Sequence, residues 1–137
     1  MRGLNPEAHI ALGTALRGLK EEKILVIGSG FSFHNMQAFS WQGSGEPNPA
    51  KDAFQDWLIE TCTGPFSQSE REQRLRDWER TPAARYCHPR EEHLLPLHVC
   101  VGMVDKAGAV YLMTRSWGSA LWHLRGKRMA AYRGKAH

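Results

Sequence analysis

Two stretches of this sequence hold side chains able to do chemistry. In the first, the apolar run Ile24-Leu25-Val26-Ile27 meets Gly28-Ser29-Gly30, and His34-Asn35 follows. A strand that stops at small residues delivers polar groups to the carboxyl edge of a sheet, where open α/β folds bind their ligands. An imidazole four residues after Gly30 can give or take a proton near neutral pH, so His34 is a candidate acid/base. The same spacing also fits a histidine in a surface loop. A phosphate-binding loop fits less well, because the GxGxxG spacing and the GxxxxGK[ST] lysine are both missing.

The second stretch runs His88-Pro89-Arg90-Glu91-Glu92-His93-Leu94-Leu95-Pro96-Leu97-His98. Histidine and carboxylate are the usual ligands of non-haem iron or zinc. The spacing is not HExxH. His88, His93 and His98 stand five apart, about 140° round a helix, so one helix cannot aim all three at one ion. At most one or two of them act as ligands, or all three simply flank a helix. Cys87 beside His88 offers a thiol, but no basic neighbour marks it as reactive.

Together the two stretches resemble the class III extradiol ring-cleavage dioxygenases, and within them the 4,5-DOPA extradiol dioxygenase-like branch. Ile24 to Asn35 is similar to that family's strand plus GSGxxxHN segment. Tyr86 to Leu97, with its HPxxEHxLPL pattern, is similar to the family's C-terminal metal-ligand segment. Phe54 to Leu58 and Trp78 to Pro82 look familial too, and the likeness covers roughly residues 3–110.

The resemblance implies a mononuclear Fe(II) centre, with zinc in some members, that opens catechol-type, DOPA-like rings with O2. It implies that His34 is the acid/base and His93 a metal ligand. It places His88, Asn35 and Ser29 in the substrate pocket or just behind the ligands. It also implies two further histidine ligands in an N-terminal half, for which this chain has no counterpart. The fold expectation is therefore α/β: the C-terminal half of a dioxygenase-like domain, its central sheet flanked by helices. Such chemistry needs about three protein ligands, so the chain alone is expected to be impaired or inactive. The alternative is a non-catalytic remnant or interaction protein that keeps half the fold.

The elements that must position these residues are legible in part. Asn5, Pro6 and Glu7 open a helix expected over 5–22, with Ala8, Ala11, Leu12, Ala15, Leu16 and Leu19 as its apolar stripe. Lys23 to Ile27 reads as a strand covered on both faces, and Gly28-Ser29-Gly30 as a turn. Residues 31–49 read as a loop containing Trp41. Helices follow over 50–62, with Phe54, Trp57 and Leu58 inward, and from Ser67 to Arg80, with Leu75 and Trp78 inward and a capping box from Ser69 to Glu72. Tyr86 to Pro89 reads as a loop, and Pro96 as the first turn of a helix reaching Gly102. The apolar run Ala109 to Met113 follows.

With 137 residues, 42% hydrophobic and 23% charged, the chain has the composition of one globular unit. No apolar run is long enough for a membrane span, no leader is apparent, and three scattered cysteines do not form a disulfide framework. A cytoplasmic protein is the expectation. The net charge of +4 is uneven. Residues 1–105 hold 11 basic against 14 acidic side chains, while 106–137 hold 7 basic and none acidic. Residues 1–113 are read as the dioxygenase-like body and 114–137 as a divergent basic tail able to stay disordered. Such a tail can touch nucleic acid, but no binding motif accompanies it. The implied partners are a catechol-type substrate, O2, and a second copy through an exposed sheet edge.

Overall fold

The computed structural model describes residues 4–22, 24, 26–38, 47–105, 110–114, 119–124 and 132–133. Trp41, Lys23 and Leu25 lie outside the described residues, as does most of the expected basic tail. Helix α1 spans Pro6–Ala15, strand β1 Ile27–Phe31, α2 Pro49–Thr63, α3 Gln68–Arg76, α4 Ala84–Cys87 and α5 Leu95–Met103. Three strands follow: β2 Val110–Thr114, β3 Ser119–Leu124 and β4 Tyr132–Arg133. Helices and strands are mixed along the chain. The four strands pair in the order β1-β3-β2-β4, antiparallel except for β2 with β4.

β1 corrects the expected strand and turn. Gly28, Ser29 and Gly30 lie inside the strand, opposite Trp122, Leu121 and Ala120 of β3. The glycines serve close approach rather than a turn. A Cβ on Gly28 would sit 2.7 Å from Cys100 Sγ and 3.2 Å from the Pro96 carbonyl, so α5 lies directly on this strand. Nor is the apolar run covered on both faces among the described residues. Ile24 is 51% exposed and Ile27 56% exposed, and Phe31 shares the open face.

α1 also packs by another face than expected. It ends at Ala15, a 3-10 turn continues over Arg17–Lys20, and Ile10 and Gly13 are its buried residues. Ala8, Ala11, Leu12 and Ala15 are exposed. The reason is a backbone-to-backbone crossing with α5. A Cβ on Gly13 would stand 2.1 Å from the Val99 carbonyl, and one on Gly102 would stand 2.2 Å from the Ile10 carbonyl. Only two glycines allow this approach, so the contact follows them rather than the leucine stripe.

Asn48 caps α2 by accepting from the Lys51 N–H at 3.0 Å, and Phe54 and Leu58 are fully buried. The capping box of α3 lies two residues earlier than expected. Ser67 accepts from the Glu70 N–H at 3.2 Å, and Glu70 accepts from the Ser67 N–H at 2.7 Å. Glu72 instead pairs with Arg17 and Arg76. Tyr86 and Cys87, expected in a loop, close the short helix α4. Pro96 lies in the first turn of α5, as its fixed φ favours.

The core gathers Phe54, Leu58, Leu75, Trp78, Leu94, Leu97 and Val101. Arg71 is buried with them. Its guanidinium donates to the carbonyls of Thr61, Gly64 and Phe66 at 2.9, 3.2 and 3.3 Å, satisfying the end of α2. His98 is buried on α5 and lies 2.9 Å from the Leu75 carbonyl through Nε2, tying α5 to α3.

Two tests follow. Gly102→Ala should destabilise the chain by about 1–3 kcal/mol, the usual range for overpacking, read as a lower urea midpoint. Secondly, burial pushes both His88 and His98 down to about 4. When unfolded they titrate near 6.5, so their stabilising contribution is complete above that pH and is lost as pH falls toward 4. Each should cost on the order of 2 kcal/mol at pH 5, and His98→Gln should roughly halve that slope in urea titrations run from pH 7 to 4.5.

Candidate acid/base site

The site is built where the end of β1 meets the segment between α4 and α5. The Phe31 N–H donates to the His93 carbonyl at 3.0 Å, and the His34 N–H donates to the Cys87 carbonyl at 2.8 Å. These backbone bonds bring together two histidines 59 positions apart in the chain. Their ring centroids stand 3.7 Å apart with the planes tilted by 35°. Phe31 walls the pair, its ring 5.8 Å from His34 and 5.4 Å from His93. Both imidazoles are half-buried.

Burial, and then the neighbouring His93, hold His34 below its ordinary pKa of 6.5, while Glu92 pulls the other way. His34 is thus set toward the neutral imidazole, the form that accepts a proton at neutral pH.

The other sequence-derived candidates take different places. His88 is fully buried, between the rings of Phe54 at 5.5 Å and Trp78 at 6.1 Å. Neither of its ring nitrogens has a partner of good hydrogen-bond geometry, although the Ser32 backbone favours its charged form. Asn35 spends its side chain on the protein. Its Nδ2 donates to the Tyr86 carbonyl at 2.7 Å, and its Oδ1 accepts from the Gln37 and Ala38 N–H groups. Ser29 is exposed on β1, on the same face as Phe31. His98 stays with the Leu75 carbonyl, away from the pair. Burial pushes the Cys87 thiol up to about 11, which makes it a poor nucleophile.

Phe31 and Tyr86 were not singled out as site residues. Their signal was available in position only: Phe31 stands three residues before His34, and Tyr86 two residues before His88.

A non-haem metal centre needs about three protein ligands around one point. Among the described residues no group of three or more His, Cys, Asp or Glu side chains is placed to hold a metal ion. His34 and His93 lie ring over ring, and Glu92 Oε2 is within ion-pair distance of Arg90 Nε at 3.0 Å. The described residues therefore do not fit a complete iron or zinc site.

The solved structure of an uncharacterized Escherichia coli K12 protein shares the fold, with a TM-score of 0.72 at 24% identity over 88% of this chain and 51% of that one. A dioxygenase, tasH, from Hapsidospora irregularis is 35% identical over 133 residues, covering 85% of this chain and 41% of its own length. The 4,5-DOPA dioxygenase extradiol of Beta vulgaris is 31% identical over 115 residues, covering 82% and 40%. That of Escherichia coli K12 is 30% identical over 99 residues, covering 71% and 35%. The chain thus spans about two-fifths of the length of these relatives. No helix among the described residues is long and apolar enough to cross a membrane. The family match runs over residues 2–126, past residue 110 where the motif resemblance ends, and takes in β3. With two histidine-bearing motifs brought to one place on this fold, the chain belongs to the family described as the catalytic LigB subunit of aromatic ring-opening dioxygenase.

Proposed function

We propose that this chain supplies the acid/base half of an extradiol dioxygenase site that opens a catechol-type, DOPA-like ring with O2. The observation that carries this is the stacked pair His34 and His93, 3.7 Å apart and mounted on two segments joined through backbone hydrogen bonds. In this reading His34 takes a proton from a catechol hydroxyl and returns it later in the ring opening. Phe31 offers an aromatic wall to the substrate ring. His93 is one donor to an iron or zinc ion whose remaining donors are not among the described residues. His88 and Ser29 are read as residues of the substrate pocket or of the layer behind the ligands. The segment is read as the C-terminal half of a larger α/β domain whose sheet is flanked by helices. Three buried, free cysteines support a reducing, cytoplasmic setting.

The incomplete ligand set favours one second reading, a non-catalytic remnant that keeps half the fold. Turnover separates the two. Given Fe(II), L-DOPA and O2, the 137-residue chain alone is expected to form no yellow ring-opened product. Fused behind the N-terminal half of a DOPA dioxygenase relative, it should form one. Within that fusion His34→Ala should keep metal and lose turnover by about 10²–10⁴-fold, the usual worth of a general acid/base. His93→Ala should lose metal. Full metal content in His93→Ala would refute the ligand assignment, and unchanged turnover in His34→Ala would sink the acid/base role.

A further inference from the structure

We propose that Asn35 is a positioning residue: through the Tyr86 carbonyl it fixes the His34 imidazole against His93, a role whose use in catalysis rests on reading His34 as the acid/base. Asn35 directly follows His34, and its carboxamide does two things at once. Oδ1 accepts from the N–H groups of Gln37 and Ala38 at 3.1 and 3.2 Å, closing a turn immediately after His34. Nδ2 donates to the Tyr86 carbonyl at 2.7 Å, fastening that turn to α4. Next to it, the His34 N–H donates to the Cys87 carbonyl at 2.8 Å. Residues 34–35 are therefore joined to residues 86–87 by two adjacent bonds, one from backbone and one from side chain.

The anchor is itself held. The Tyr86 hydroxyl accepts from Asn48 Nδ2 at 3.2 Å, and Asn48 caps α2. The Tyr86 ring lies 5.9 Å from that of Phe33, one residue before His34. On its other side the strand end is bonded at Phe31 to the His93 carbonyl. His34 thus sits between two ties, with His93 on the far one. Rotating the turn by one bond would carry the imidazole off its partner.

An amide is the group this geometry requires. Aspartate keeps the acceptor for Gln37 and Ala38 but sets a carboxylate oxygen against the Tyr86 carbonyl, where two acceptors repel. Serine is too short to span both partners. These engaged atoms also argue against a direct role for Asn35 in holding substrate, because Oδ1 and one Nδ2 proton are already committed inside the protein.

The experiment is NMR on the isotope-labelled 137-residue chain. In the wild type, the Asn35 side-chain amide should exchange about tenfold more slowly than a free amide, the factor one such hydrogen bond is worth. The His34 ring protons should be shifted upfield by stacking and show cross-peaks to the His93 ring. Asn35→Asp should abolish those cross-peaks and the upfield shift, while the methyl signals of Leu58, Leu97 and Val101 stay in place. Tyr86→Phe cuts only the link to Asn48 and leaves the carbonyl, so it should preserve the His34 signals. Asn35→Asp with unchanged His34 ring signals would overturn the role. So would a wild-type Asn35 amide exchanging at the free rate, a measurement that decides even if the variant does not fold. None of these readouts involves catechol turnover, so loss of the clasp and loss of the dioxygenase reading are told apart.

Discussion

The contact of α5 with β1 governs where everything else in the site can stand. Gly28 has no side chain to separate them, and Cys100 and Pro96 of α5 fill the space a Cβ would need. Because the helix lies directly on the strand, the residues just before it fall beside the end of β1. The Phe31 N–H then reaches the His93 carbonyl, and His93 reaches His34. On its other face α5 meets α1 with equal intimacy, through Gly102 and Gly13. A helix confined on two sides by glycine contacts has little room to slide, so its N-terminal approach is placed by packing rather than by any side chain of the site.

Where local chemistry decides, the sequence was readable. Asn5 caps a helix, Pro6 and Pro96 fall in first turns, and Phe54, Leu58, Leu75 and Trp78 point inward as their spacing says, whereas Asn48 and Pro49, which open α2, fall in the stretch that reads as a loop. The two motifs that meet at the site were visible as candidates, but it was the family resemblance, not residue type or spacing, that assigned them to one site. What escaped was decided between elements. Gly28 to Gly30 reads as a turn because glycine is a turn residue, yet its job is to admit a helix. The leucine stripe of α1 loses to Gly13 because helix contact goes where backbones can come closest. The capping box falls at Ser67 rather than Ser69: both serines have a glutamate three residues on, and Ser67 is the one with the extended backbone of an N-cap.

The histidine run shows the same divide. A spacing of five residues denies His88, His93 and His98 a shared helical face, and the fold sends them to three environments. One sits in an aromatic cage, one at the site, and one bonds to the α3 carbonyl of Leu75. Sequence spacing excluded the single-helix metal cluster; it did not say which histidine would face His34. That depended on the path of the backbone through Pro89 to Leu94.

The Arg71 guanidinium lends the fold an asymmetry in how it can come apart. Its partners are backbone carbonyls and the Gln68 side-chain amide oxygen, none of which titrates, and an arginine keeps its proton across the whole working range. These Arg71 bonds are thus indifferent to acid, although the same corner also carries the Arg74–Glu60 ion pair and the Glu70 side of the capping box. The opposite link is different: His98 is kept neutral by burial, although its donation to the Leu75 carbonyl would itself favour the charged ring, so acid must force a charge into the core beside α5. Acid should then release α5, and with it the approach of His93 to His34, while the Arg71 bonds still hold. A partly opened chain would keep its helical hairpin and surrender its chemistry first.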